Sequence, residues 1–283
     1  MRATSASSNP SPAYTQVETM LIIGERINSS RKNIADAISS EDKAFIQREA
    51  HLQDEAGADY IDVNAAAFFG EEIERLKWAI DVVQEATELP LCIDSPDPRA
   101  IKAVLPMVNK RPMINSITLE LGRLEGILPL VTEYGTKVIG LCQSGAIMAE
   151  STEAKVDLAG RLVDKISEAG ISLDDLYIDP LVYPLGANAN SAQSTLEAIA
   201  RIMKEFHGVH TTCGLTNVSY GLPARKLVNR TFLAACIISG LDSAIMDPTD
   251  RLLYGALKAA VMIAGRDDFC VEFIQAFRAG RIE

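Results

Sequence analysis

Polar side chains recur at one kind of place in this chain, where a short apolar run comes to its end. Glu25, Arg26 and Asn28 accompany the first such run, Asp62 and Asn64 the second, Asp94 and Ser95 the third, and Asn115 and Ser116 the fourth. Gln143 and Ser144 follow the fifth, Asp179 closes the sixth, Asn217 and Ser219 the seventh, and Asp247 the eighth. The set is acidic and rich in amides. A carboxylate accepts two adjacent N–H donors together, as it does the edge of a guanidinium, and an amide can serve a carbonyl or a ring nitrogen. A flat heterocycle with an amino group beside a ring N–H, such as a pterin, suits that set. Asp94, Asn115, Asp179 and Asn217 carry the expectation, because four separate runs supply them.

Other chemistries find less support. The three histidines, His51, His207 and His210, fall in helical or pre-strand positions, and no His/carboxylate cluster marks a zinc or binuclear site, so no metal is expected. Lys137 begins the fifth run, at the wrong end for a Schiff base. No glycine-rich loop with a following lysine cradles a phosphate. A glycosidase cleft wants aromatic platforms, yet the single tryptophan, Trp78, lies in a helical stretch. One acid alone is ordinarily a helix cap; Asp97, just before Pro98, reads that way.

The elements that would position these groups are legible from periodicity. Strand character runs over Leu21–Ile27, Tyr60–Asn64, Leu91–Asp94, Met113–Ile117, Lys137–Cys142, Leu176–Leu181, His210–Leu215 and Ser243–Asp247. Several are apolar almost throughout, as in strands covered on both faces. Helical spacing separates them: Leu158, Leu162, Val163 and Ile166 draw one stripe, and Gly57 and Gly170 sit where helices should stop. Eight strand–helix repeats predict an α/β fold, a (β/α)8 TIM barrel, with chemistry at the carboxyl ends of its strands. An open doubly wound sheet is the competitor, but "GERINSS" after the first strand is not a GxGxxG turn. One domain over 20–283 is expected, with a closing amphipathic helix over Asp267–Ala279. The Ser-, Thr-, Ala- and Pro-rich residues 1–19 read as a disordered extension without a signal peptide's apolar region, and Met20 as the natural start.

A net charge of −11 and no basic stripe argue against nucleic acid as a partner. No apolar run is long enough to cross a bilayer. Five cysteines without a CxxC pair fit a reducing, cytoplasmic setting better than a disulfide framework.

The strings "LIIGERIN", "YIDVN", "LCIDS", "MINSI", "DLYIDPL", "GLTNVS" and "LVNRTFL" occur in this order between about residues 20 and 275. Together they closely resemble the methyltetrahydrofolate:corrinoid methyltransferases, which are pterin-binding barrels. The resemblance implies that Asp94, Asn115 and Asp179 hydrogen-bond the pterin and that Asn217 approaches N5. It also implies that Gly214, Ser219 and Arg225 line the folate, with Glu25, Asp62, Asn64 and Ser116 as supporting groups. Catalytic roles fall to Asn217 and Asp94: a neutral amide can bond N5 before and after protonation, and Asp94 would polarise the relay that brings the proton from solvent. Tetrahydrofolate or 5-methyltetrahydrofolate is the implied substrate, a corrinoid protein carrying cobalamin the implied partner, and a homodimer the implied assembly.

Two stretches depart from that pattern. Where acetogenic relatives carry an Asn-Lys-Thr-Gly-like loop after the fifth strand, this chain reads "CQSGAIMA", and Tyr220 stands where they carry a glutamine. Both leave open the corrinoid partner and the direction of transfer. Dihydropteroate synthase, a related barrel, would need basic residues for a pyrophosphate near strands seven and eight, where this chain has "SAIMDP". A folate-binding module without turnover is the third reading.

Overall fold

All eight strand runs reappear, in order, as strands of one parallel sheet. The structure, a computed structural model, describes residues 20–145 and 147–282; the 1–19 extension lies outside them. The strands are β1 (Leu21–Asn28), β2 (Tyr60–Asn64), β3 (Leu91–Asp94), β4 (Met113–Ile117), β5 (Lys137–Leu141), β6 (Leu176–Asp179), β7 (His210–Thr211) and β8 (Ser243–Met246). Each neighbours the next, β8 pairs with β1, and the remaining seam is closed by a bridge between Gly214 and Ile245. The result is the barrel the repeats predicted.

Helices α1 (Lys32–Ser39), α2 (Lys43–Glu55), α3 (Glu72–Gln84), α4 (Pro98–Val104) and α5 (Leu121–Tyr134) follow the first four strands. Helices α6 (Thr152–Glu168), α7 (Ser191–Glu205), α8 (Arg225–Ile238) and α9 (Arg251–Ile263) follow the rest, and α10 (Val271–Arg278) ends the chain. Local sequence sets their limits. Asp42, Asp97, Ser151 and Asp250 each accept a backbone N–H of the first turn of α2, α4, α6 and α9. Gly57 and Gly170 take the left-handed conformation just past α2 and α6, at φ of 86° and 72°. The terminal helix is shorter than expected because Asp268–Cys270 forms a separate 3-10 turn.

Strand parity separates two interiors. Ile23, Tyr60, Cys92, Met113, Ile139 and Tyr177 form one small cluster drawn from six strands, the inside of the barrel. The alternate residues, such as Ile61, Ile93, Ile114, Val138 and Ile178, join the larger cluster beneath the helices. Two residues further along, the inward positions become Asp62 and then Asn64 on β2, Asp94 on β3, Asn115 on β4 and Asp179 on β6. Apolar filling thus gives way to polar groups at the carboxyl end.

The opposite end, the floor, is held by paired charges. His210 places Nδ1 2.6 Å from Asp242 Oδ2 and Nε2 3.3 Å from Asp174 Oδ1. Its ring stacks on Tyr177, centroids 4.6 Å apart. Lys137 donates to the Tyr177 hydroxyl at 3.0 Å, and Arg111 pairs with Asp175 at 2.6 Å.

Candidate functional site at the barrel mouth

Register brings the candidate residues together. Asn64, Asp94 and Asn115 are successive Cα partners across β2, β3 and β4, so one rung carries all three. Asn64 donates from Nδ2 to Asp94 Oδ2 at 3.0 Å, while its own Oδ1 accepts from Ser29 Oγ and the Ala66 N–H. The amide thus fixes Asp94 through one carboxylate oxygen and leaves the other unbonded to it. One rung deeper, buried Asp62 accepts from Asn115 Nδ2 at 3.2 Å, orienting that amide from below.

Across the mouth, Asp179 is buried and takes two backbone donors: Leu181 N–H on Oδ1 at 2.7 Å and Gly214 N–H on Oδ2 at 3.2 Å. The second bond changes the local fold. Gly214 N–H serves a carboxylate in place of a ladder carbonyl, and the strand expected over His210–Leu215 stops at Thr211. Leu215–Ser219 instead turns as a 3-10 helix. Asn217 is therefore exposed in a tight turn beyond the strand, a correction to the strand-end reading. A Cβ built on Gly214 would lie 3.5 Å from Asn217 Nδ2 and 4.0 Å from Asp179 Oδ2, so Asp179 is the carboxyl that shares Asn217's surroundings. Ser219 is buried in the same turn; Arg225 donates to its Oγ at 3.1 Å and to the Thr216 carbonyl at 2.8 Å.

Electrostatics sets these carboxyls apart. Burial raises Asp94 to about 6, against the bond from Asn64 and the charge of Arg123, which pull it down. Burial likewise raises Asp179 to about 6, opposed by its two backbone donors and by Lys155. Asp62 is pushed well above the usual carboxylate range by burial and by the neighbouring charge of Asp94. Glu25 rises to about 7 through burial, although Arg31, 3.2 Å away, works the other way. These groups are poised to gain from N–H donors brought by a ligand.

Other sequence candidates stand apart. Ser116 is buried beside a register shift in β4, and its carbonyl accepts from Arg123 Nε at 2.7 Å. Arg26 is tied to Glu49 and to Asp247 at 2.8 Å, bracing α2 against the loop after β8. Two residues were not anticipated. Arg123 also donates to the Ser95 and Pro96 carbonyls and so clamps the turns after β3 and β4. Lys155, fully buried on α6, donates to carbonyls just after Asp179. The stripe of Leu158, Leu162 and Ile166 runs back onto Lys155, and a lysine on an apolar stripe was the available signal. Among the described residues, no group of three or more His, Cys, Asp or Glu side chains is placed to hold a metal ion.

An eight-stranded α/β barrel whose mouth carries buried, donor-seeking carboxyls beside amides is the class of protein that holds a flat heterocycle. Residues 24–247 match the family of pterin binding enzymes, and the chain belongs to that family. It is 39% identical over 265 residues to the methylcorrinoid:tetrahydrofolate methyltransferase of Eubacterium limosum, covering 93% of this chain and 98% of that one. It is 30% identical over 246 residues to the methionine synthase of Mycobacterium tuberculosis, spanning 82% of this chain but 21% of that protein. In fold it is similar to dihydropteroate synthases. That of Xanthomonas albilineans with 4-aminobenzoic acid gives a TM-score of 0.68 at 20% identity, over 87% of this chain and 93% of that one. That of Coxiella burnetii with pteroic acid gives 0.66 at 16% identity, over the same shares.

Proposed function

We propose that the protein is a methyltransferase moving a methyl group from a methylcorrinoid protein to N5 of tetrahydrofolate. The observation that carries this reading is the convergence of Asp94, Asn115 and Asp179 on the barrel mouth with Asn217 at its edge, joined to the near-full-length likeness to an enzyme named for that reaction. Asp94 and Asp179 accept the amino and ring N–H donors of the pterin, and Asn115, held by Asp62, meets its complementary edge. Gly214, Ser219 and Arg225 line the way to the rest of the folate.

N5 of tetrahydrofolate is a secondary amine, unprotonated at neutral pH. Its lone pair forms the new N–CH3 bond, the cobalt–carbon bond breaks with both electrons left on cobalt as Co(I), and the N5 proton passes to solvent. Asn217 orients N5 and stabilises the positive charge that builds there with its amide oxygen, a neutral acceptor that does not trap the proton. We also read the protein as a homodimer, which light scattering checks, and as cytoplasmic, since its five cysteines are free thiols.

The test is stopped-flow spectroscopy of a methylcorrinoid protein mixed with this enzyme and tetrahydrofolate. Decay of the methylcob(III) spectrum to cob(I), with 5-methyltetrahydrofolate formed in equal amount, is expected. No spectral change, or condensation of hydroxymethylpterin diphosphate with p-aminobenzoate, would overturn the reading.

A further inference from the structure

Lys155 is fully buried on α6, yet no carboxylate lies in ion-pair contact with it among the described pairs. Burying an ammonium is costly unless each donor is used. Lys155 uses all three. Nζ donates to the Pro180 carbonyl at 2.7 Å, to the Leu181 carbonyl, and to Thr195 Oγ1 on α7 at 3.1 Å. It also lies 5.3 Å from the centre of the Tyr183 ring. The two carbonyls belong to the turn that immediately follows Asp179. Leu181 adopts a left-handed φ of 55° there and points its N–H back to Asp179 Oδ1. The ammonium therefore holds, from behind, the turn that aims the Asp179 carboxyl into the mouth.

We propose, resting on the folate reading above, that Lys155 is a positioning residue for the pterin site: it fixes the Asp179 turn through the Pro180 and Leu181 carbonyls and supplies the positive charge behind the Asp179 carboxylate. The groups facing Asp179 make the second part specific. From β5 and its end comes the Cys142 thiol, from the β7 side the Cys213 thiol and the Gly214 N–H, from the following turn Tyr183, and from α6 Lys155. Lys155 is the cation among them. Burial favours the protonated acid; the Leu181 and Gly214 N–H bonds, and with them the Lys155 charge, favour the ionised carboxylate that a pterin's donors require.

The experiment is calorimetric titration of the full-length protein with tetrahydrofolate between pH 5 and 8, for the wild type, Lys155→Met and Lys155→Arg. Lys155→Met matches the length but donates nothing. It should weaken binding about tenfold or more at pH 7 and move the pH at which binding is half lost upward by about one unit, since Asp179 then protonates more readily. Lys155→Arg keeps the charge and should leave that midpoint in place. A folded Lys155→Met protein with wild-type affinity and midpoint would overturn the proposal, as would one that melts earlier but binds with an unmoved midpoint. Should Lys155→Met fail to fold, Thr195→Val removes one acceptor and keeps the charge; weaker binding at an unmoved midpoint then supports the proposal, and unchanged binding overturns it. Wild-type protein that binds no tetrahydrofolate at any pH overturns the folate reading itself, and this proposal with it.

Discussion

The two ends of the barrel treat buried charge in opposite ways. At the floor, Asp242 meets His210 and the Thr211 N–H, and Asp175 meets Arg111. At the mouth, buried Asp62 and Asp179 and half-buried Asp94 have only amides, a thiol and backbone donors in direct contact. The floor's polar groups complete one another and contribute to stability. The mouth's do not, and its carboxyls rise toward neutral pH in consequence. Acids held in low-dielectric surroundings without a directly bonded cation cost stability, so their place at the end of the barrel where ligands bind points to a partner that arrives later.

Substitutions at each end should therefore divide between activity and stability. The largest effect belongs to the mouth. Asn217→Ala should slow methyl transfer by about 10- to 1,000-fold, the span for one donor or acceptor aimed at developing charge, with folate affinity little changed. Single-turnover rates near wild type would remove Asn217 from that role.

At the floor, His210→Phe keeps the stack on Tyr177 but strips the buried Asp242 of its partner. About 2 kcal/mol of stability should be lost at pH 6, with the Michaelis constant for folate unchanged. Burial opposes the His210 charge, yet its bonds to Asp242 and Asp174 hold its pKa above 6.5. The sign follows: this stabilisation is whole below about pH 6.5 and fades as pH climbs through the folded value. Urea melts of the variant and wild type should converge at high pH, and a gap that widens instead would contradict the pairing.

The smallest shift is a gain. The raised pKa of Asp94, about 6 against an ordinary 3.8, means that the free protein loses stability as pH rises through that interval. Asp94 and Asp62 titrate as a pair, so the slope belongs to both. Asp94→Asn should raise the stability of the free protein by about 1 kcal/mol at pH 8. A lower melting temperature there would show that the mouth is not strained by charge.

How much of this was readable beforehand depended on what kind of signal each residue left. Seven strands carried their own apolar runs, and their limits hold to within two residues, because continuous burial on both faces leaves little else to read. β7 stops at Thr211, short of the expected Leu215, and the Gly214 N–H beyond it is claimed by Asp179, 35 residues earlier, which no local pattern announces. The place of Asp94, Asn115 and Asp179 at the carboxyl ends of their strands was legible from position in the apolar runs. Asp62 and Asn64 were expected as supporting groups, but the bonds by which they hold Asn115 and Asp94 depend on cross-strand register, which a sequence does not display. Whether Ser116 shares the inward face with Asn115 could not be read from strand alternation, because the ladder to β5 shifts register between Asn115 and Ile117. Arg123, in the first turn of α5, left no mark at all.

The most direct test of the donor-seeking mouth is tetrahydrofolate affinity measured by calorimetry across pH 5 to 8, in wild type and Asp179→Asn. Affinity should rise as pH climbs through about 6, where Asp94 and Asp179 ionise, and Asp179→Asn should bind about a hundredfold more weakly at pH 7 because an amide presents a donor to the ring's donors. Affinity that is flat with pH and indifferent to Asp179→Asn would mean that these carboxyls are not what holds the ring.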